Sequence, residues 1–342
     1  MAEPTVDSRD FTSCRYGGEH EQVQPRGEHE SHNDSVYFNF AAPEDCGIVG
    51  GVVRIGLRPN EGYSEASLVM PRRAGGVVFH YKRSPLTAAD HPAGASAWNS
   101  GAMRLAVDEA TRRWRLTYAG DEARLVADPR AFGDDPGGTW RASEPLRCEF
   151  DFEWTADFPM HVLSPEGNLM PGEQEIAYGK NHYEQFGQIA GEFRLGDETW
   201  TLTAAPAFRD HSWGPRIWES APNQDFVTAY LDDGRRVVAV AHRTGDSEDM
   251  HGILFAPGDI EPTQLEGYEL RTSYAGEAEA RGPIGWTFEG GGNTIEVEGD
   301  VEGFMPLRVG KESVRIGQTL IKLSPANPGY AKTDLTRPIT RS

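Results

Sequence analysis

Residues 146–154 alternate without a break, with Leu146, Cys148, Phe150, Phe152 and Trp154 on one face and Arg147, Glu149, Asp151 and Glu153 on the other. A period of two belongs to a strand with one dry and one wet side. Similar short runs precede it at 36–40, 48–57, 66–70, 77–82, 103–107, 114–118 and 123–126, separated by Gly, Pro, Asn and Asp, and no amphipathic helix interrupts them. The strand signal stops over 158–179, where Pro and Gly are frequent, then resumes at 185–195, 199–203, 226–231, 236–242, 252–255, 269–274, 284–288, 295–301 and 313–323. Asp232, Asp233 and Gly234 join two of these runs as a hairpin turn, because Asp-Gly accepts the positive φ such turns need.

Two comparable series of short strands in 342 residues predict an all-β protein of two antiparallel barrels or sandwiches. The expected organisation is an irregular arm over 1–33, a first β domain over 34–175, a second over 176–325 and a loosely docked tail over 326–342. A barrel of about eight strands can enclose one small apolar ligand, so a cavity protein is expected.

The chain carries 33 basic and 53 acidic residues, a formal charge of -20. That balance repels nucleic acid and anionic membranes. The first residues have no basic stretch followed by an apolar core, and no window approaches the ~18 apolar residues of a spanning helix. The expectation is a cytoplasmic protein without integral membrane association; the oligomeric state stays open. Cys14, Cys46 and Cys148 are odd in number and form no C-x-x-C pair, so free thiols are expected. His29 and His32 have no third ligand at sensible spacing, and no metal site is expected.

Residues 208–218, reading Phe-Arg-Asp-His-Ser-Trp-Gly-Pro-Arg-Ile-Trp, are the densest in reactive groups. They follow the alternating run 199–203 and are broken by Gly214 and Pro215, which predicts that the cluster sits where a strand runs out into a turn. Strand alternation puts Asp210 and Ser212 on one side and Arg209, His211 and Trp213 on the other, and leaves open which side lines a cavity. Several chemistries are excluded. No D-D-x-x-D run, Walker loop, dinucleotide fingerprint, H-E-x-x-H or G-x-S-x-G is present, so neither a metal-dependent ionisation, a nucleotide cofactor nor a serine hydrolase is supported. No cofactor is expected.

The run 208–216 resembles the signature of the hydroxyneurosporene synthase (carotenoid hydratase)-like superfamily and its bacterial members of unknown function. Residues 54–63 (Arg-Ile-Gly-Leu-Arg-Pro-Asn-Glu-Gly-Tyr) and 182–191 (His-Tyr-Glu-Gln-Phe-Gly-Gln-Ile-Ala-Gly) resemble the same group. The resemblance implies two lipocalin-like (calycin-type) barrel domains packed together, with a pocket for a hydrophobic, often isoprenoid, molecule near their junction. It also implies hydration, cyclisation or cycloaddition chemistry, without fixing the substrate.

Addition across an alkene needs a positioned acid and then aromatic faces or carboxylates to stabilise the cation. Asp210 is the candidate acid, with His211 to orient it or relay its proton and Glu184 as a further catalytic candidate. Trp213, Arg216, Trp218, Tyr183, Arg58 and Glu61 are candidates for binding the substrate. The other tryptophans, Trp98, Trp114, Trp140, Trp154, Trp200 and Trp286, are assigned to the core. A carrier of a hydrophobic small molecule would use the same pocket without an acid. The motif could equally be a buried structural network at a domain junction.

Overall fold

The computed structural model describes residues 16–87, 92–163, 181–218, 223–244, 247–274, 280–309 and 314–339. Strands β1 (His32–Ala41), β2 (Gly50–Arg58), β3 (Tyr63–Pro71), β4 (Val77–Pro85), β5 (Ala97–Ser100), β6 (Met103–Glu109), β7 (Arg113–Val126), β8 (Glu144–Ala156), β9 (Asn181–Leu195) and β10 (Glu198–Pro215) form one antiparallel sheet. Its order is β4-β3-β2-β1-β10-β9-β8-β7-β6-β5, and an added β4–β7 pairing closes eight of the strands into a ring. The remainder, β11 (Gln224–Leu231), β12 (Arg236–Thr244), β13 (Ser247–Phe255), β14 (Thr263–Gln264), β15 (Gly267–Tyr274), β16 (Ala280–Gly290), β17 (Asn293–Val309), β18 (Val314–Leu323) and β19 (Gly329–Pro338), build a nine-stranded half-barrel. The architecture is two lipocalin-like β units, all-β as the alternation predicts. Among the described residues no helix is long and apolar enough to cross a membrane.

Strand alternation sorts the side chains into three apolar layers. Inward residues of the ring, among them Phe38, Phe40, Trp98, Trp114, Phe152 and Trp154, pack together as its core. The half-barrel has its own core around Trp286, Phe288, Val227 and Leu335. Between the sheets lies a third layer, in which Phe186, Phe208 and Val52 from the ring meet Tyr230, Val240, Phe255 and Met305. Asn39 ties the sheets together, since its Oδ1 accepts hydrogen bonds from Tyr230 and, at 3.4 Å, from Thr228 Oγ1. Indoles and phenyl rings thus occupy the interior of the ring. A cavity lies outside it, between the sheets.

At four points the structure departs from the expected organisation or adds to it. The domain boundary at 175/176 falls in a stretch outside the described residues, but β9 and β10 belong to the first sheet, so the sheets divide between Pro215 and Gln224. Within the segment 326–342, expected to be a loose tail, residues 329–338 form β19, which pairs with both β11 and β18 in the middle of its sheet. The arm is docked from Tyr16 onward: Glu21 is buried, and the Gln24 amide donates to Asp34 Oδ2 at 2.6 Å. Two short helices, α1 (Pro129–Asp134) and α2 (Pro136–Ala142), interrupt the strands. Each begins with Pro, and the preceding Asp128 or Asp135 accepts backbone N–H bonds as a cap. The free thiols Cys46 and Cys148 are buried, and Cys14 lies outside the described residues.

Candidate active site

The strand register lays out the wall of a cavity row by row. On the outer face of the ring, cross-strand neighbours form an apolar row of Phe186, Phe208, Asn39, Val52, Val69 and Phe79, which packs into the layer between the sheets. Two residues further along each strand the row reads Glu184, Asp210, Tyr37, Arg54, Ser67 and Tyr81. The next reads His182, Ser212, Ser35, Gly56, Glu65 and Arg83, and Arg58 with Tyr63 begin a fourth. Polarity therefore rises from the packed layer toward the mouth.

The opposite wall comes from the half-barrel and is largely apolar or neutral, with Phe226, Val240, Leu307, Ile316, Gln318 and Thr336 beside the cation Arg308. Among the described residues its one carboxylate is Asp334, paired with the buried Lys332. The Lys332 ammonium also lies 5.1 Å from the centre of the Tyr37 ring. Phe132 and Trp140 from the two helices close the side. The cavity volume is about 1350 Å³.

The central motif occupies the C-terminal end of β10, which stops at Pro215 where Gly214 and Pro215 predict the break, and its alternation separates the motif cleanly. Asp210 borders the cavity, whereas His211 points into the ring, fully buried. His211 Nε2 lies 2.9 Å from Asp34 Oδ1, which also accepts from Trp98 Nε1 at 2.9 Å, and His211 Nδ1 lies 3.2 Å from the Tyr183 hydroxyl. Arg209 is on that same inner face. It ion-pairs with Glu21, donates to Gln185 Oε1 at 2.5 Å and stacks between Trp114 and Trp154, whose ring centres are 5.1 and 4.9 Å away. Trp213 and Tyr183 join Tyr16 and Met160 in a small apolar cluster there.

Of the residues singled out from the sequence, Asp210, Glu184, Arg58, Glu61, Arg216 and Trp218 come together around the cavity. His211, Trp213 and Tyr183 do not, because odd and even positions of one strand face opposite ways. Trp140, expected in the core, packs against the layer between the sheets and also borders the cavity.

Asp210 and Glu184 are direct cross-strand partners. Burial pushes the Asp210 carboxyl above the ordinary aspartate value, and the charge of Glu184 adds to this; His182, Arg216 and Arg54 pull the other way without cancelling it. Among the described residues none hydrogen-bonds to the Asp210 carboxyl. Burial also works against the charged form of Glu184, but His161 and His182 outweigh it and hold this carboxyl below its ordinary value. His182 Nε2 is 2.9 Å from Glu184 Oε1, and His161 Nε2 is 3.4 Å from Oε2. Burial opposes the His182 imidazolium, yet the bond and charge of Glu184 raise its pKa. The site thus holds two adjacent carboxyls driven apart, one toward the neutral acid and one toward the anion, the arrangement from which acid and base roles are assigned.

His182, Arg54, Tyr37 and Asp334 also belong to the site and are not among the candidates read from the sequence. For two of them a signal exists: His182 is two residues from Glu184 and Arg54 four from Arg58, so each pair shares a strand face. Gly56, between those arginines, leaves the space Arg54 occupies, since a Cβ there would stand 2.7 Å from Arg54 Nη2. Arg54 uses that space to reach Glu65 Oε1 at 2.6 Å.

Solved structures with the same fold include an AttH-like protein of Nitrosomonas europaea, with a TM-score of 0.58 at 15% identity over 92% of this chain and 95% of that one. Kievitone hydratase of Nectria haematococca aligns with a TM-score of 0.56 at 10% identity, covering 93% of this chain and 91% of its own. CghA, solved with Sch210972, aligns with a TM-score of 0.57 at 12% identity, covering 91% and 89%. No curated protein sequence matches the chain. A family model described as a domain of unknown function, DUF7064, matches residues 17–327.

Proposed function

For a chain that belongs to the DUF7064 family of domains of unknown function, we propose a cofactor-independent lyase or isomerase, a hydratase, dehydratase or cyclase. It acts by protonating an isoprenoid-like or polycyclic hydrophobic molecule held between the two sheets. The observation that carries this reading is the Asp210–Glu184 pair on the cavity wall, with the acid raised and its neighbour lowered. Neutral Asp210 delivers the proton to an alkene carbon. Glu184, with His182, holds the complementary charge and takes a proton from the attacking water or from the cation. Tyr37 and Trp218 offer aromatic faces to the cation. That kievitone hydratase shares the fold supports a hydratase, and that CghA holds Sch210972 supports a small-molecule occupant. The affiliation with hydroxyneurosporene synthase-like proteins and the cytoplasmic location belong to the same proposal.

A carrier of a hydrophobic molecule is the second reading, favoured by the apolar side chains Phe226, Val240, Leu307 and Ile316 on the opposite wall. The pH dependence of kcat/KM separates the two. Asp210 must be protonated, so activity falls as pH rises through its raised pKa; Glu184 must be charged, so activity also falls as pH drops through its lowered one. A bell-shaped profile whose alkaline limb disappears in the residual activity of Asp210→Asn is expected. A limb that survives this substitution removes Asp210 from the acid role, and no turnover of any terpenoid, polyene or polycyclic alkene leaves the carrier.

A further inference from the structure

Arginines and glutamates share the mouth: Arg54, Arg58, Arg83 and Arg216 line it with Glu30, Glu61 and Glu65. Around the third row Arg54, Glu65, Tyr81 and Arg83 are linked to one another: Arg54 donates to Glu65, whose Oε2 accepts from the Tyr81 hydroxyl at 3.1 Å, and that hydroxyl accepts from Arg83 Nε at 2.9 Å. Arg58 and Arg216 stand beyond this cluster, on the same cavity wall. Only 5% of Arg58 and 9% of Arg216 is exposed. Arg58 Nη1 donates to the Arg216 main-chain carbonyl at 3.3 Å, which fixes one side chain beside the other residue's backbone. Arg216 donates to Ser212 Oγ at 2.6 Å and lies over the Trp218 ring at 5.2 Å. Among the described residues the carboxylate paired with Arg58 is Glu61, 3.2 Å away with its side chain 39% exposed. Arg58 Nε is buried and makes no hydrogen bond among the described residues. A guanidinium group buried with an unused N–H, on a cavity wall that a second arginine also lines, is costly unless an anion meets it there.

Building on the function proposed above, we infer that Arg58 and Arg216 form a head-group subsite. It receives an anionic oxygen, a carboxylate, phenolate or acidic enol, on a substrate that is otherwise apolar. Guanidinium forks match such oxygens in geometry and charge. The apolar body then lies along the rows toward Phe79, Phe132 and Trp140, whose rings meet edge to face at 5.0 Å (Phe79–Phe132) and 5.6 Å (Phe79–Trp140). From the row of Phe79 to that of Arg58 is six residues of strand, about 20 Å at ~3.4 Å per residue. Asp210 sits between the ends, two residues from the apolar row, so a head anchored at Arg58 sets an internal double bond of an extended molecule over the acid. The substrate class is therefore an elongated amphiphile with one acidic end, not a pure hydrocarbon.

Two fluorescent probes with one ring system test this: 8-anilinonaphthalene-1-sulfonate, which carries an anionic group, and N-phenyl-1-naphthylamine, which lacks it. Wild-type protein is expected to bind the sulfonate at least tenfold more tightly. Arg58→Gln with Arg216→Gln is expected to cost the sulfonate at least tenfold and to leave the uncharged dye within about twofold. Trp140→Ala should weaken both. Equal wild-type affinity for the two dyes overturns the subsite without any variant, and so does an equal loss of both dyes in a folded double variant. Asp210→Asn should keep the sulfonate preference, so failure of the head-group subsite and failure of the acid are read separately.

Discussion

Asp210→Asn is expected to lower turnover by at least a hundredfold while leaving the melting temperature at pH 7 unchanged or higher. The first effect follows from removing the only proton of the pair, a loss of the ~10²–10⁴ that a positioned acid supplies. The second follows from linkage. Burial raises the Asp210 pKa in the folded protein, so the fold binds this proton more tightly than the unfolded chain does. The stability this provides is present at low pH and is lost as pH rises through the folded pKa. An amide does not titrate, so the variant escapes that loss at neutral pH. Thermal melts across pH check it: a fall in melting temperature at pH 7 assigns Asp210 to a structural network, and full activity removes it from the chemistry.

Arg209→Met is expected to destabilise the protein by about 3–5 kcal/mol, because it strands Glu21 as an uncompensated charge inside the ring. The two side chains are 1% and 0% exposed. Glu21 also accepts from the Thr111 amide at 2.5 Å and from the Tyr183 hydroxyl at 3.2 Å, so this one carboxylate of the arm braces the end of the ring. For a protein of this size the expected drop in melting temperature is on the order of 10 °C. Adding Glu21→Gln should recover part of it, since the amide needs no counter-charge, and the coupling from a double-mutant cycle should exceed about 1 kcal/mol. Additive losses would mean that the ion pair is not the unit holding the arm. Because Arg209 faces away from the cavity, turnover per folded molecule should change little.

These two neighbours in sequence, Arg209 and Asp210, also show what the chain declares about itself. Alternation is local, so the sequence alone separates the two faces of 209–213. Which face meets a ligand depends on what packs against each, and that is set by Trp114, Trp154 and Tyr183 far away in sequence. For that reason His211, Trp213 and Tyr183 read as cavity residues in the sequence and lie inside the ring in the fold.

The same limit applies to the strands. Their existence and turns are legible, including the Gly234 turn at φ 92° between β11 and β12. Sheet membership is not, because a dry-and-wet pattern does not name its partner strand, and the Pro- and Gly-rich stretch before β9 looks like a boundary although β9 and β10 complete the first sheet. β19 carries no apolar alternation, because Lys332, Asp334 and Thr336 face the layer between the sheets, where polar groups are paired. The arm looks irregular since the partner of Glu21 is 188 residues away. For α1 and α2 a local signal does exist, the Asp-Pro steps at 128 and 135, but each helix is too short to show an apolar period.

The most direct measurement is the mass of whatever small molecule accompanies the purified protein, extracted after incubation in D₂O. Protonation at carbon by Asp210 predicts a ligand from wild-type protein that gains one non-exchangeable deuterium per turnover, and an unlabelled ligand from Asp210→Asn. A bound molecule that stays unlabelled with wild-type protein contradicts acid catalysis and makes the cavity that of a carrier.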